Sequence, residues 1–203
     1  PLHHAKDFYL ALFGKLLINT ATTAIMGYQL YILSDYINLN TGGQQKYISI
    51  INMMLMVTAI VMSITAGPVS DWMKSRKIPV FIAAFLVAIG VAFPMLSDKP
   101  WTMLVYGLLA GLGMGIFFAV DQALNLEVLP NPQTAAKDLG ILNLANTGSQ
   151  IIGPIVAASI VTATHGSYFG IFPVCAGLAL VGGIMILFVN EHRDVKIQAE
   201  NAK

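Results

Sequence analysis

Six apolar runs, at 8–34, 47–69, 78–95, 101–128, 136–163 and 168–189, decide what this chain can fold into. Each reaches or nearly reaches the ~20 residues that an α-helix needs to cross ~30 Å of hydrocarbon. The longer ones must tilt or run past the hydrocarbon. Strands of a membrane barrel would alternate apolar and polar residues, and these runs do not alternate. The expected fold class is therefore an all-α membrane protein with six transmembrane helices. Composition excludes a water-soluble domain: 10% of residues are charged, against ~25% in soluble domains. A formal net charge of +1 gives no basic field for nucleic acid, so no nucleic-acid partner is expected. Cys175 lies in an apolar run and reads as packing. His3, His4, His165 and His192 are scattered through tails and a loop without metal-ligand spacing. Neither a nucleophile–base arrangement nor a phosphate-cradling glycine loop is present, so no enzyme activity, metal or cofactor is expected. The chain begins Pro1-Leu2-His3-His4, and its first apolar run is too long for a signal-peptide core. It is expected to be a piece of a longer polypeptide whose remainder lies upstream.

The connections set the expected orientation. Lys6, Lys74, Arg76, Lys77, Lys137, Arg193, Lys196 and Lys203 fall on one side of the six spans, against Lys46 and Lys99 on the other. Basic residues favour the cytoplasm, which places both termini and the connections near 70–77 and 129–136 inside. Tyr31, Tyr36, Tyr47, Trp101 and Tyr168 then gather at the outer ends, as an interfacial aromatic belt requires. The polar stretch 190–203 reads as a solvated cytoplasmic tail. An integral protein of the plasma (inner) membrane is expected, with the lipid bilayer as its solvent.

A charged turn at 67–77, carrying Gly67, Asp71, Arg76 and Lys77, joins the second and third spans into a helical hairpin. Its pattern resembles the signature between the second and third helices of each half of the major facilitator superfamily. Gly67, Asp71 and the Arg76-Lys77 pair match, whereas Trp72, Lys74 and Ser75 depart from it. Lys6-Asp7-Phe8 followed by Lys15 is similar to the entry into that family's seventh helix. Asp121-Gln122-Ala123-Leu124, Leu129-Pro130, Asp138-Leu139-Gly140-Ile141 and Asn143 resemble a subgroup that includes sugar transporters. The resemblance implies that 1–189 is the C-terminal six-helix half of such a transporter, built as two inverted three-helix repeats. It also implies a missing N-terminal six-helix half, a small-molecule substrate with a sugar among the candidates, and coupling to protons or another cation. The Gly67, Asp71, Arg76 and Lys77 set would act as a cytoplasmic gating latch.

Polar residues inside the spans carry the expected site. A charged side chain near a helix centre costs ~2.5–3.5 kcal/mol on insertion scales, so Asp121 should face a cavity or a partner. Met114, Phe118, Asp121 and Asn125 share one face of the fourth span. Lys15, Asn19, Thr22, Met26 and Gln29 form a stripe on the first, and Asn143, Asn146 and Gln150 one on the fifth. Lys15 and Asp121 lie at similar depths, and the resemblance implies that their two helices both line the cavity, so an ion pair between them is expected to carry proton coupling. Burial and a nearby cation act on a carboxylate's proton affinity in opposite senses, which makes its proton load responsive to opening of the site. Asn19, Thr22, Gln29, Gln122, Asn125, Asn143, Asn146 and Gln150 are the expected substrate contacts. Gly107, Gly111 and Gly115 recur every four residues, the spacing of close helix packing, and Gly153-Pro154 should kink the fifth span. Two other readings stand beside a coupled secondary transporter of a small solute: an exporter of drugs or metabolites, and a non-transporting membrane scaffold or receptor in which the polar stripes are helix glue.

Overall fold

The computed structural model describes residues 3–73, 75–127 and 135–189, which form six α-helices with short connections. These are α1 (His3–Tyr31), α2 (Thr41–Met73), α3 (Lys77–Ala92), α4 (Pro100–Glu127), α5 (Ala135–Ala163) and α6 (Ile171–Leu187). A π-helical turn, Ile32–Tyr36, extends α1, and a 3-10 turn, Phe93–Met95, extends α3. No strand occurs among the described residues.

Among the described residues, five segments are long and apolar enough to cross a membrane: Lys6–Tyr36, Thr41–Pro68, Lys77–Met95, Pro100–Asp121 and Ala136–Ala163. The sixth, α6, is apolar but has 17 residues, about 26 Å of helix at 1.5 Å per residue. It is shorter than the run at 168–189 because 168–170 still belong to the turn, with Ile171 N donating to Tyr168 O at 3.1 Å. His165 and Gly166 adopt left-handed backbone, with φ of 53° and 95°, directly after α5 ends.

The charged turn also differs from expectation. α2 continues through Gly67 and Pro68 to Met73, so Gly67 and Asp71 belong to a helix and not to a loop. A turn placed earlier would strip backbone groups of their helical partners where hydrocarbon supplies none. Ser70 Oγ donates to Ser75 O at 3.4 Å across the end of this helix.

The main packing interfaces join α2 to α4, α4 to α3, α3 to α6, α6 to α1 and α1 to α5. Exchanging α1 with α4, α2 with α5 and α3 with α6 maps this pattern onto itself. Slighter contacts of α1 with α2 and of α4 with α5 curve the row, so that α1 and α4 face a common space. Small residues permit the closest approaches. A Cβ on Gly115 would lie 2.5 Å from Ala59 O of α2, and one on Gly182 would lie 2.6 Å from Gly14 O of α1. The core between α1, α3, α4 and α6 is filled by branched and small side chains such as Ile18, Ile25, Val87, Ala110 and Ala179. The end helices differ: 6% of the α2 span and 22% of the α5 span are buried, against 61% for α1 and α4. Their exposed surfaces are apolar, with Met56, Ile60 and Ile64 on α2 and Ile151 and Ile155 on α5. Such faces suit lipid or another helical surface.

Candidate functional site

The polar stripe of α1 is the spine of the site. Its residues are spaced four, three, four and three apart, which keeps them on one helical face. Lys15 Nζ donates to Asp121 Oδ2 at 2.6 Å, with the two side chains 3% and 8% exposed. Asn125 Nδ2, one turn further along α4, donates to the same oxygen at 3.0 Å. This cluster links α1 to α4, two helices that share no extended interface. Removing two charges from water carries a penalty of several kcal/mol per ion, so a buried pair is weak evidence for stability. Inside a membrane span, ionisable residues more often mark the path of a solute or a proton.

A second chain of bonds runs from α1 to α5. Asn19 Nδ2 donates to Asn146 Oδ1 at 2.9 Å, and Asn146 Nδ2 donates to Asn143 Oδ1 at 2.8 Å. Beside it Thr23 Oγ1 lies 2.8 Å from Ser149 O of α5 and 2.9 Å from Asn19 O of its own helix, so its one proton is shared between them. Neither Thr23 nor Ser149 stands out in the sequence, because a bond to a backbone carbonyl leaves no pattern in residue type. Thr22 Oγ1 is occupied by its own helix, donating to Asn19 O at 2.9 Å. Gln29 is buried, and its Nε2 has no hydrogen-bond partner among the described residues.

Three cavities are lined by residues of these stripes. One of about 290 Å³ is lined by Lys15, Asn125, Leu139, Gly140 and Asn143. Another, of about 320 Å³, has Asn19, Asn146 and Gln150 among its walls. The third, of about 540 Å³, is mostly apolar and extends to Met56 and Ile60 of α2. Thr22, Met26, Met114 and Phe118 line both of the last two, so an amide-lined compartment stands beside an apolar one.

The remaining expected residues are placed as follows. The side chains of Gln122 and Asp71 lie outside the described residues. Arg76 and Lys77 are half-buried at the start of α3. Of the expected aromatic residues, Tyr31, Tyr36, Trp101 and Tyr168 make contacts at or just beyond the ends of helices. Tyr28 and Tyr168 have ring centroids 6.4 Å apart, Phe93 and Trp101 5.7 Å, and Tyr36 Oη donates to Pro94 O at 3.0 Å. An unforeseen bond accompanies these contacts: Tyr168 Oη donates to Asp35 Oδ2 at 2.9 Å, while Ser34 Oγ donates to Asp35 Oδ1 at 2.6 Å. Lost hydration and then the Asp35 carboxylate raise the Tyr168 hydroxyl above its ordinary value, which keeps it a donor.

A family model described as Major Facilitator Superfamily matches residues 13–203. The chain is 23% identical over 187 residues to an uncharacterized MFS-type transporter of Schizosaccharomyces pombe, covering 92% of this chain and 40% of that protein. It is similar in fold to the proton:xylose symporter XylE, solved with bound 6-bromo-6-deoxy-D-glucose. That likeness has a TM-score of 0.74 at 18% identity and covers 93% of this chain and 45% of the XylE chain. The chain thus spans under half the length of each of these relatives.

Proposed function

The chain belongs to the major facilitator superfamily, and on that premise we propose that it is one half of a secondary transporter for a small solute. Residues 1–189 form the C-terminal six-helix half, 190–203 its cytoplasmic tail, and a further six-helix half covers the apolar faces of α2 and α5. The symmetry of the packing pattern supports two three-helix repeats. With consecutive helices antiparallel, α1 and α4 run in opposite directions, so the repeats are inverted. Alternating access rocks this half against the other, with the solute between α1, α4 and α5. Both termini are cytoplasmic, in the plasma membrane. Gly67, Asp71, Arg76 and Lys77 form a latch at the inner end of the α2–α3 hairpin, holding one state through charge-assisted hydrogen bonds.

The observation that carries this reading is the buried Lys15–Asp121 pair, which joins two helices beside a cavity that Lys15 lines. Water entering the cavity can deliver or remove a proton at Asp121, and release of Lys15 from Asp121 frees α1 to move relative to α4. Asn19, Asn125, Asn143, Asn146 and Gln150, with Thr22, Gln29 and Gln122, supply donors and acceptors suited to a hydroxyl-rich solute. A sugar is one such solute, and xylose is named for the XylE relative. The test uses the full-length protein in vesicles under a proton gradient. Asp121→Asn should abolish concentrative uptake and leave solute exchange intact, because exchange need not release the proton. Gradient-driven accumulation at the normal level in that variant would remove Asp121 from coupling.

A further inference from the structure

Among the described residues, the lining of the cavity beside the ion pair includes one cation. Its described walls are a lysine, two carboxamides, a leucine and a glycine, and no carboxylate is among them. Asp121 bonds Lys15 but is not one of those lining residues. A solute in this space therefore meets a cation and amide groups, the partners that recognise a carboxylate with neighbouring hydroxyls. A neutral solute would need only the amides.

The charges also have to balance. An acidic group that takes Lys15 leaves Asp121 as an unpaired carboxylate in a dry setting, which is strongly unfavourable. One proton on Asp121 removes that penalty. Lysine, aspartate, a monoanion and a proton together sum to zero charge, the same as the resting pair. The other charged residues of these helices lie nearer a helix end than Lys15 or Asp121: Lys6 and Asp7 on α1, Lys46 and Asp71 on α2, Lys77 on α3, Glu127 on α4, and Lys137 and Asp138 on α5. α6 has none. Lys15 is the charged partner that Asp121 contacts among the described residues.

We infer that the solute of this site is an organic acid bound as its anion, whose acidic group takes Lys15 from Asp121 while Asp121 accepts one proton from the open side. Solute and proton then load together without net charge. This rests on the transporter reading above and narrows its substrate class.

Full-length protein in vesicles of clamped membrane potential would be offered gluconate and lactate as anionic probes, and glucose and xylose as neutral ones. The expected result is acid uptake driven by an inward proton gradient at a rate that the potential does not change. Binding of the acid, read as a thermal shift, should weaken about tenfold per pH unit once Asp121 must be protonated on loading. Lys15→Arg should retain acid binding, and Asp121→Asn, which keeps Lys15 and removes the proton acceptor, should bind the acid without this pH dependence. Uptake of a neutral probe without any acid would overturn the inference while leaving the transporter reading in place. Uptake of no probe under any gradient would overturn both. Acid uptake accelerated by an inside-negative potential would refute the one-proton, charge-neutral step.

Discussion

Replacing Lys15 with Met leaves the Asp121 carboxylate buried without its cation, and the size of the effect follows from the geometry. At 2.6 Å and an effective dielectric of about 20, the attraction is about 6 kcal/mol. Desolvating two ions removes most of that gain, so the intact pair contributes near zero net stability. Breaking it is different, because the survivor keeps its desolvation penalty and loses its partner. Each single change, Lys15→Met or Asp121→Asn, should therefore destabilise the full-length protein by ~3–5 kcal/mol, and the double variant should recover most of the loss. A double-mutant cycle on the purified protein, read by unfolding in denaturing detergent, gives the coupling energy directly. Acidification should restore stability to Lys15→Met, since a proton neutralises the stranded carboxylate at ~1.4 kcal/mol per pH unit of help. Single changes below ~1 kcal/mol that simply add would show that water reaches the pair, and the reasoning from burial would fail.

Two further expectations concern the fold. Gly115→Leu places side-chain atoms against the α2 backbone, where a Cβ already falls 2.5 Å from Ala59 O; it should lower stability by ~1–3 kcal/mol, and an unchanged unfolding midpoint would contradict the α2–α4 interface. Single cysteines at Ser75 and Gly43 should react with impermeant thiol reagents from opposite faces, Ser75→Cys from the cytoplasm and Gly43→Cys from outside, and labelling of both from one face would contradict the hairpin.

The number of helices is legible in the sequence because hydrocarbon thickness fixes how long an apolar run must be. Their ends are less so. Gly67-Pro68 looks like a turn, yet α2 continues through it, since a membrane helix gives up backbone bonds only where something replaces them. The glycine repeat of α4 announces close packing without naming the partner. Gly111 and Gly115 face α2, whereas Gly113 faces Ala83 and Val87 of α3. The Lys15–Asp121 pair is legible because two ionisable groups at one depth need each other more than either needs lipid. By contrast, Thr23 on Ser149 O and Tyr168 on Asp35 depend on how α1 meets α5 and on where the α5–α6 turn lies. That information exists only once the helices are assembled. The amide stripes fall between these cases: their faces follow from helical spacing, but the Asn19–Asn146–Asn143 chain requires α1 and α5 to be neighbours.

Whether the buried pair couples proton and solute movement, and does not merely hold α1 to α4, is decided by transport in the double variant Lys15→Met/Asp121→Asn. Removing both charges restores folding, so a loss of function cannot be assigned to misassembly. Reconstituted full-length protein would be measured for solute exchange and for accumulation under an inward proton gradient. The expected result is no accumulation above equilibrium, and slowed exchange of an acidic solute because Lys15 is no longer there to bind it. Accumulation at the normal level would contradict the coupling role of Lys15 and Asp121 and leave the pair a structural tie.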